Sequence, residues 1–358
     1  MLTILQVAYP LAPVSFDAAG GAEQVMAMLD RGLVARGHRS IAIACAGSRA
    51  AGALREVRVG ESFDEKSRCE ALEAFRQRIR EALESESVDL VHMHGLDFYQ
   101  YLPPPGVPVL ATLHLPASFY PDSVFRLSRP DTWLNCVSAA QLDTCPNSPN
   151  LVAAIENGIP LDLFPAAKYD KGNYALALGR ICPEKGFHLA IQAANQARTP
   201  LWIAGAVFGY AEHQEYFRRT LMPRLIPPDR FLGAAGFRQK VELLARARCL
   251  VISSLVPETS SLVAMEALAC GTPVVSFRSG ALTGIVKHGS TGFLAHDLSQ
   301  MAAGITRSGE IDVRECRRDA ELRFSAERMT DEYVGLYQRL ITTPSRSKIA
   351  QTLRTPDS

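Results

Sequence analysis

Apolar residues recur along this chain in short runs separated by longer amphipathic stretches, a pattern that predicts strands and helices in alternation. In the first half, Thr3–Ala8, Ser40–Ala46, Asp89–His94, Val107–His114, Trp133–Ser138 and Leu151–Ile155 read as strands. Gly20-Gly21-Ala22-Glu23 opens a helix running to about Arg36, which Gly37-His38 ends. Asp64–Ser87 reads as a charged helix, its Arg76, Arg78 and Arg80 set among glutamates on a solvated face. The turn-rich connector Asn157-Gly158-Ile159-Pro160 and Asp162-Leu163-Phe164-Pro165 places a domain boundary near residue 166.

The alternation then restarts. Tyr174–Leu178, Leu201–Ala204, Phe231–Gly233, Cys249–Ser254 and Val274–Phe277 read as strands. Phe187–Ala197, His213–Leu221, Gln239–Arg246 and about Ser299–Arg307 read as helices, with Gly280–Thr283 a turn and GSTGF (289–293) ahead of the last of them. Two successive blocks of this kind predict an α/β protein with two parallel-sheet, Rossmann-like domains, 1–166 and 167–324, and a ligand at the carboxyl ends of their strands, in the crevice between them. Ser325–Ile341 is a final amphipathic helix, and 342–358, polar with two prolines, reads as a mobile tail.

One stretch organises the rest: PETSSLVAMEALACGTP, residues 257–273. A helix must start between Glu258 and Glu266, with Ser260 and Ser261 as N-cap candidates and Gly271 as its C-terminal stop. Leu262, Val263, Met265, Ala267, Leu268 and Ala269 make it apolar nearly all round, hence buried. Glu258 then sits in the loop at a strand's carboxyl end, and Glu266 about 6–8 Å further along the helix axis. A buried carboxylate needs a hydrogen-bonding partner, and a helix N-terminus suits a phosphate. Together they fit a nucleotide, with phosphates on the helix start, ribose hydroxyls on Glu266 and a third group facing Glu258. Glu266 capping or pairing inside the core is the alternative.

Composition narrows the class. Of 358 residues 47% are hydrophobic and 21% charged, globular values, and no apolar run approaches the roughly 20 residues that span a bilayer. The start, MLTILQVAYPLAP, lacks a basic n-region and reads as a first strand. Net charge is +1, but 1–165 holds 13 Lys+Arg against 19 Asp+Glu and 166–358 holds 25 against 18. The basic second half suits an anionic ligand; the acidic first half argues against nucleic acid and against more than peripheral membrane contact. The eight cysteines show no CxxC and no His/Cys cluster in the sequence, which fits a reducing cytoplasm and speaks against structural zinc. His92-x-His94 offers metal-like spacing, but no third ligand of matching context is visible and strand-end polar residues is the preferred reading.

Gly20-Gly21, His114, Arg180 with Lys185, and Glu258 with Glu266 all fall on strand-end loops or the helices they start. Gly20-Gly21 is not GxGxxG and has no acid about twenty residues on, which disfavours a dinucleotide site there. Arg180 and Lys185, about five residues apart across a tight loop, are suited to bracket a diphosphate; taken singly, each reads as an exposed loop cation.

The set resembles the family-4 (group 1) retaining glycosyltransferases of the GT-B fold. The resemblance rests on GGAE (20–23), TLH (112–114), NGI (157–159), GRICPEKG (179–186), ETSSLVAMEALACGTPVV (258–275) and GSTGF (289–293), and is densest from 174 to 295. It implies that Arg180 and Lys185 neutralise the leaving diphosphate of a nucleotide-sugar, a UDP-sugar in preference to a GDP-sugar. It implies that Glu266 holds the ribose, that Glu258 faces the donor sugar, and that Ser260, Ser261 and Leu262 lie by the phosphates. His114 would touch the donor sugar, Gly20 and Gly21 would let backbone approach phosphate or acceptor, and the helix 325–341 would cross back onto the first domain. Where members often carry an aromatic and a glycine after the first glutamate, this chain has Ser260-Ser261, a departure that bears on the sugar pocket. No Asp-x-Asp occurs, in keeping with a metal-independent enzyme needing no cofactor, and the acceptor is left as a carbohydrate or another small or lipid-linked molecule.

Three other readings stand beside this one. A hydrolase could use Glu258 and Glu266 as an acid and nucleophile pair. A nucleotide-sugar epimerase on the same fold would act without an acceptor. A non-catalytic nucleotide-sugar-binding protein would bind a donor and consume none.

Overall fold

The computed structural model describes residues 1–60, 65–164 and 170–342. Contacts divide the chain into two compact units. The first holds Met1–Glu156 together with the helix that begins at Ala326; the second holds Asn157–Ser325. The boundary expected near residue 166 falls in 165–169, outside the described residues, as does the expected tail beyond Thr342.

The first unit carries β1 (Thr3–Val7), α1 (Gly21–Ala35), β2 (Arg39–Cys45), β3 (Ala53–Val57), α2 (Glu65–Ser85), β4 (Leu90–Met93), β5 (Val109–Leu113), β6 (Thr132–Cys136), the short α3 (Ala139–Leu142) and β7 (Leu151–Ala154). Its seven strands are all parallel, in the order β3-β2-β1-β4-β5-β6-β7. β1 is central, with Ile4 opposite Ser40 on one side and Leu90 on the other. Strands covered on both faces are largely apolar, and Leu5, Val7, Ile41, Ile43, Val91, Val109 and Ala111 are fully buried. The edge strand β3 was not predicted: only Val57 of its five residues is buried, so it shows no apolar run.

The second unit repeats the plan with β8 (Ala175–Leu178), α4 (Phe187–Gln196), β9 (Leu201–Ala204), α5 (Ala211–Glu215), β10 (Arg230–Phe231), α6 (Phe237–Arg246), β11 (Cys249–Ile252), α7 (Leu262–Ala269), β12 (Val274–Phe277), α8 (Leu282–Ile285), β13 (Gly292–Ala295), α9 (Leu298–Arg307) and α10 (Val313–Arg323). Its six parallel strands run β10-β9-β8-β11-β12-β13. Each sheet reverses direction of strand order once, between β1 and β4 and between β8 and β11. The carboxyl ends of such a strand pair are where open α/β sheets bind ligands. GSTGF leads not directly into a helix but into the strand β13, whose apolar run, Phe293 to Ala295, is too short to announce it.

The last helix, α11 (Ala326–Thr342), belongs to the first unit. It packs on α1 so closely that a Cβ at Gly32 would collide with the side chain of Thr330. Arg36 Nε reaches Asp331 Oδ1 at 2.6 Å, and its Nη2 donates to the Glu327 carbonyl at 2.8 Å. Beneath, a directional chain of buried hydrogen bonds runs from α11 into the sheet. Tyr337 OH lies 2.7 Å from His92 Nδ1, His92 Nε2 lies 2.7 Å from Thr112 Oγ1, Thr112 Oγ1 donates to Asn135 Oδ1 at 2.7 Å, and Asn135 Nδ2 donates to Tyr333 OH at 3.1 Å. Because Thr112 gives its proton to Asn135, His92 carries its own on Nε2 and accepts from Tyr337. At the passage between units, Ile159 N donates to the Phe324 carbonyl at 2.8 Å and Ile159 bridges Ser325. On the first unit's side, Arg328 Nη2 donates to the Glu156 carbonyl at 2.8 Å.

Among the described residues no helix is long and apolar enough to cross a membrane.

Candidate active site

The site in the second unit is assembled by two loops that leave the carboxyl ends of β8 and β11, the strands flanking its reversal point. After β8 the chain turns through Gly179 (φ 150°) and Arg180, makes a short 3-10 turn at Pro183–Lys185, and enters α4 at Gly186 (φ 61°). A Cβ at Gly186 would strike the Ser253 carbonyl, so the residue must be glycine for both reasons. Ser253 Oγ donates to the carbonyls of Lys185 (3.1 Å) and Gly186 (2.9 Å), and Leu255 N donates to the Glu184 carbonyl at 2.7 Å. The two loops are thereby sewn together.

Those ties bring Lys185 to Glu258: Nζ and Oε1 lie 2.7 Å apart, and Ser254 Oγ donates to the same carboxylate oxygen. The Glu258 backbone is fixed by Gly280 (φ 53°), where a Cβ would collide with the Glu258 carbonyl, and by the Ala281 N–H donated to that carbonyl at 2.8 Å. Arg180 is exposed and makes no ion pair among the described residues.

Ser261 occupies the N-cap position of α7, as expected, but its side chain makes no capping hydrogen bond. Ser260 Oγ is buried without a hydrogen-bond partner. The predicted serine cap is therefore absent, and the first N–H groups of the helix are not closed off by it. Gly271 (φ 67°) ends the helix as predicted, its N–H bonding Leu268 O at 2.9 Å while Thr272 N bonds Ala267 O at 2.8 Å.

Glu266 is 4% exposed, and its partner is Lys240 of α6, with Nζ to Oε1 at 2.5 Å. Burial pushes the Glu266 carboxyl up, and the ammonium of Lys240 opposes that shift. Lys240 is itself held over two rings, Phe237 (5.2 Å) and Phe164 (5.8 Å), which meet edge to face. No local pattern announces Lys240, because it stands 26 residues upstream on another helix. The core pairing left open for Glu266 is thus present, made with a cation that lies in the same site.

In the first unit, Gly20 is the N-cap of α1, and a Cβ there would meet the carboxylate of Glu23, which folds back over the helix start. His114 follows β5. Its Nε2 lies 3.1 Å from His94 Nδ1, and the rings stack at 5.4 Å, with His92 at 4.0 Å from His94. Burial pushes the His114 imidazole down to about 3, and His92 and His94 well below the usual value.

A cavity of about 740 Å³ lies elsewhere, where Tyr174, Pro200 and Arg230 enter β8, β9 and β10 at their amino ends. Trp202 within it is already stacked on Tyr174 at 3.9 Å and covered by the Arg230 guanidinium at 5.0 Å. It is separate from the strand-end constellation.

Cations and a helix start gather at the reversal point of a parallel sheet, the position at which open α/β sheets take their ligands. Comparison with known proteins makes the class specific. Residues 19–162 match the family described as Glycosyltransferase Family 4, and 159–308 match Glycosyl transferases group 1. The chain belongs to these glycosyltransferases. It is 33% identical over 193 residues to a glycogen synthase of Mycobacterium tuberculosis, covering 51% of this chain and 45% of that one. To a D-inositol 3-phosphate glycosyltransferase of Acidothermus cellulolyticus it is 30% identical over 207 residues, 51% of this chain and 42% of the other. With an uncharacterised glycosyltransferase of Methanocaldococcus jannaschii the match is 27% over 236 residues, 60% and 62%. The matches thus span less than two thirds of these relatives' length.

Among solved structures, AviGT4, a glycosyltransferase involved in avilamycin A biosynthesis, superimposes with a TM-score of 0.72 at 24% identity, over 96% of this chain and 99% of that one. Anabaena Alr3699/HepE, solved in complex with UDP and glucose, gives 0.73 at 17% identity, over 94% and 100%. These share the fold, GT-B, that the resemblance implied.

Proposed function

We propose that this chain transfers a sugar from a nucleotide-sugar, a UDP-sugar in preference to a GDP-sugar, to a carbohydrate or other small or lipid-linked acceptor, with retention of configuration and without a metal ion in the chemistry. One observation carries the reading: Arg180, Lys185, Glu258 and the open start of α7 converge at the carboxyl ends of β8 and β11, with Glu266 inside that helix. The solved neighbour that holds UDP and glucose supports the donor class.

In this reading negative charge grows on the departing diphosphate while the sugar becomes oxocarbenium-like. Arg180, Lys185 and the N–H groups of Ser261 and Leu262 meet that charge, a stabilisation for which loss of one donor costs about 10²–10³ in rate. The ammonium of Lys185 has three donors, so it can keep Glu258 and take a phosphate oxygen at once. Glu258, oriented by Lys185 and Ser254, receives hydroxyls of the donor sugar, and Glu266, paired with Lys240, receives the ribose hydroxyls. The leaving phosphate oxygen takes the acceptor's proton. His114, Gly20 and Gly21 keep the roles the family implies for them, and Ser260 lies beside the phosphates.

The test is a thermal-shift panel of UDP-, GDP-, ADP- and dTDP-sugars on the native chain and on Glu266→Ala and Lys185→Ala, followed by turnover in the presence of EDTA. One nucleotide class should raise the melting temperature of the native chain and of neither variant. A folded sample that responds to no nucleotide-sugar at millimolar concentration overturns the reading.

A further inference from the structure

The loop after β8 carries a second constellation, beside the phosphate-facing one and sharing no side chain with it. The sulfur of Cys182, the carboxylate of Glu184 and the imidazole of His213 each offer one atom, and those atoms all lie within 4.8 Å of one another. Nothing in the linear sequence groups them: Cys182 and Glu184 are neighbours but one, while His213 comes from α5.

We propose that Cys182, Glu184 and His213 form a zinc site that ties the loop after β8 to α5, with water completing the coordination. The donor set is the first argument. One thiolate, one imidazole and one carboxylate is a mixed soft and borderline set that favours zinc over magnesium or calcium, which take oxygen. Geometry is the second. Tetrahedral zinc with ligand bonds of about 2.0–2.3 Å needs its ligand atoms about 3.4–3.7 Å apart, a contraction of about 1 Å that side-chain torsions supply.

The third argument is the state of the groups themselves. His213 Nδ1 is buried and has no hydrogen-bond partner, a condition with a cost that a metal bond removes. The ring is already held in place, stacked on Phe208 at 6.2 Å and met edge-on by Tyr210 at 5.1 Å. Cys182 is 3% exposed and its thiol points back to the Arg180 carbonyl at 3.6 Å, whereas Glu184 is exposed and provides the way in for an ion.

The site would act on the neighbouring chemistry through the backbone. Lys185 N donates to the Cys182 carbonyl at 3.2 Å, and the Glu184 carbonyl receives Leu255 N from the loop that leads to Glu258. Fixing Cys182 and Glu184 to α5 therefore fixes the segment that presents Arg180 and Lys185. The role is structural, and the ion is not part of the transfer step.

The experiment uses the untagged full chain, reduced and freed of metal, titrated with Co²⁺ and with Zn²⁺. One equivalent of Co²⁺ should give the intense thiolate-to-cobalt absorption of a cysteine ligand, displaced by Zn²⁺. Zinc at about 100 times its Kd should raise the melting temperature by about 5 °C or more. Both signals should vanish in Cys182→Ser and His213→Ala and weaken at least tenfold in Glu184→Gln, an exposed position that leaves folding intact. They should persist in Cys69→Ser, which removes an exposed cysteine on α2. Absence of the thiolate band, or a band that survives in Glu184→Gln and Cys182→Ser and disappears in Cys69→Ser, overturns the proposal. Nucleotide-sugar shifts are read in separate samples, so failure of the donor reading leaves this test intact.

Discussion

Lys240 Nζ and Glu266 Oε1 lie 2.5 Å apart inside the second unit, joining α6 to α7 through a carboxylate that is 4% exposed. The pair explains how a helix as apolar as α7 tolerates a glutamate. Burial alone would drive Glu266 towards its neutral form, and the ammonium opposes it.

Removing the cation should therefore cost more than removing the pair. Lys240→Met leaves a buried carboxylate alone and is expected to lower unfolding free energy by about 3–5 kcal/mol. The double variant Lys240→Met with Glu266→Gln should recover most of it. Urea denaturation of the four proteins checks this, and simple additivity would show that the two groups do not interact.

Gly280→Ala should perturb catalysis by a backbone route. The new Cβ meets the Glu258 carbonyl at a positive φ, so Glu258 must move or the turn must reopen. The expected stability cost is about 1–3 kcal/mol, with a drop of tenfold or more in kcat/KM. Gly284→Ala, in open space within the neighbouring helix α8, is the control and should lower neither.

Tyr337→Phe removes one end of the buried chain that runs through His92, Thr112 and Asn135 to Tyr333. It leaves His92 Nδ1 without that partner at zero exposure, at an expected cost of about 1–3 kcal/mol. Tyr333→Phe should cost a similar amount. The two losses should combine non-additively if the chain acts as one network, which a double-mutant cycle in urea reads directly.

Acid should weaken the first unit through its histidines. His92, His94 and His114 are held neutral when folded, His114 down to about 3, whereas an unfolded histidine binds a proton near 6.5. A depressed folded value means stability is complete above pH 6.5 and declines as pH falls towards 3. His114 contributes a slope of about 1.4 kcal/mol per pH unit in that window, and His92 and His94 act in the same direction. Melting temperatures that stay flat between pH 6.5 and 4.5 would contradict it.

The parts of this fold that were legible in the sequence are those specified locally. The run from Cys249 through Glu258 to Phe277 announced strand, loop, buried helix, glycine stop and strand, and each is present. Arg180 and Lys185 were legible for the same reason, as two cations in one tight loop after an apolar strand. Less legible were elements whose stability comes from neighbours. β3 is a half-exposed edge, and α10 (Val313–Arg323) carries so many charges that its buried Cys316 and Ala320 are hard to see as a stripe. Pairing across elements was invisible altogether. Lys240 and His213 reach Glu266 and Cys182 only because the sheet order of the second unit brings their helices together, and the serine cap expected for α7 failed where a favourable residue type lacked the geometry to use it.

The first unit both begins the described chain and receives its last helix, so the second is spliced into it as one uninterrupted segment, 157–325. The two ends of that segment are pinned to each other by Ile159 with Phe324 and Ser325. Of the residues proposed here to meet the nucleotide-sugar, Arg180, Lys185, Glu258, Ser260, Ser261, Leu262 and Glu266 are encoded within it, while Gly20, Gly21 and His114 belong to the first unit. In evolutionary terms the segment is a cassette: recombination at two codon positions whose products sit side by side can replace the second unit whole.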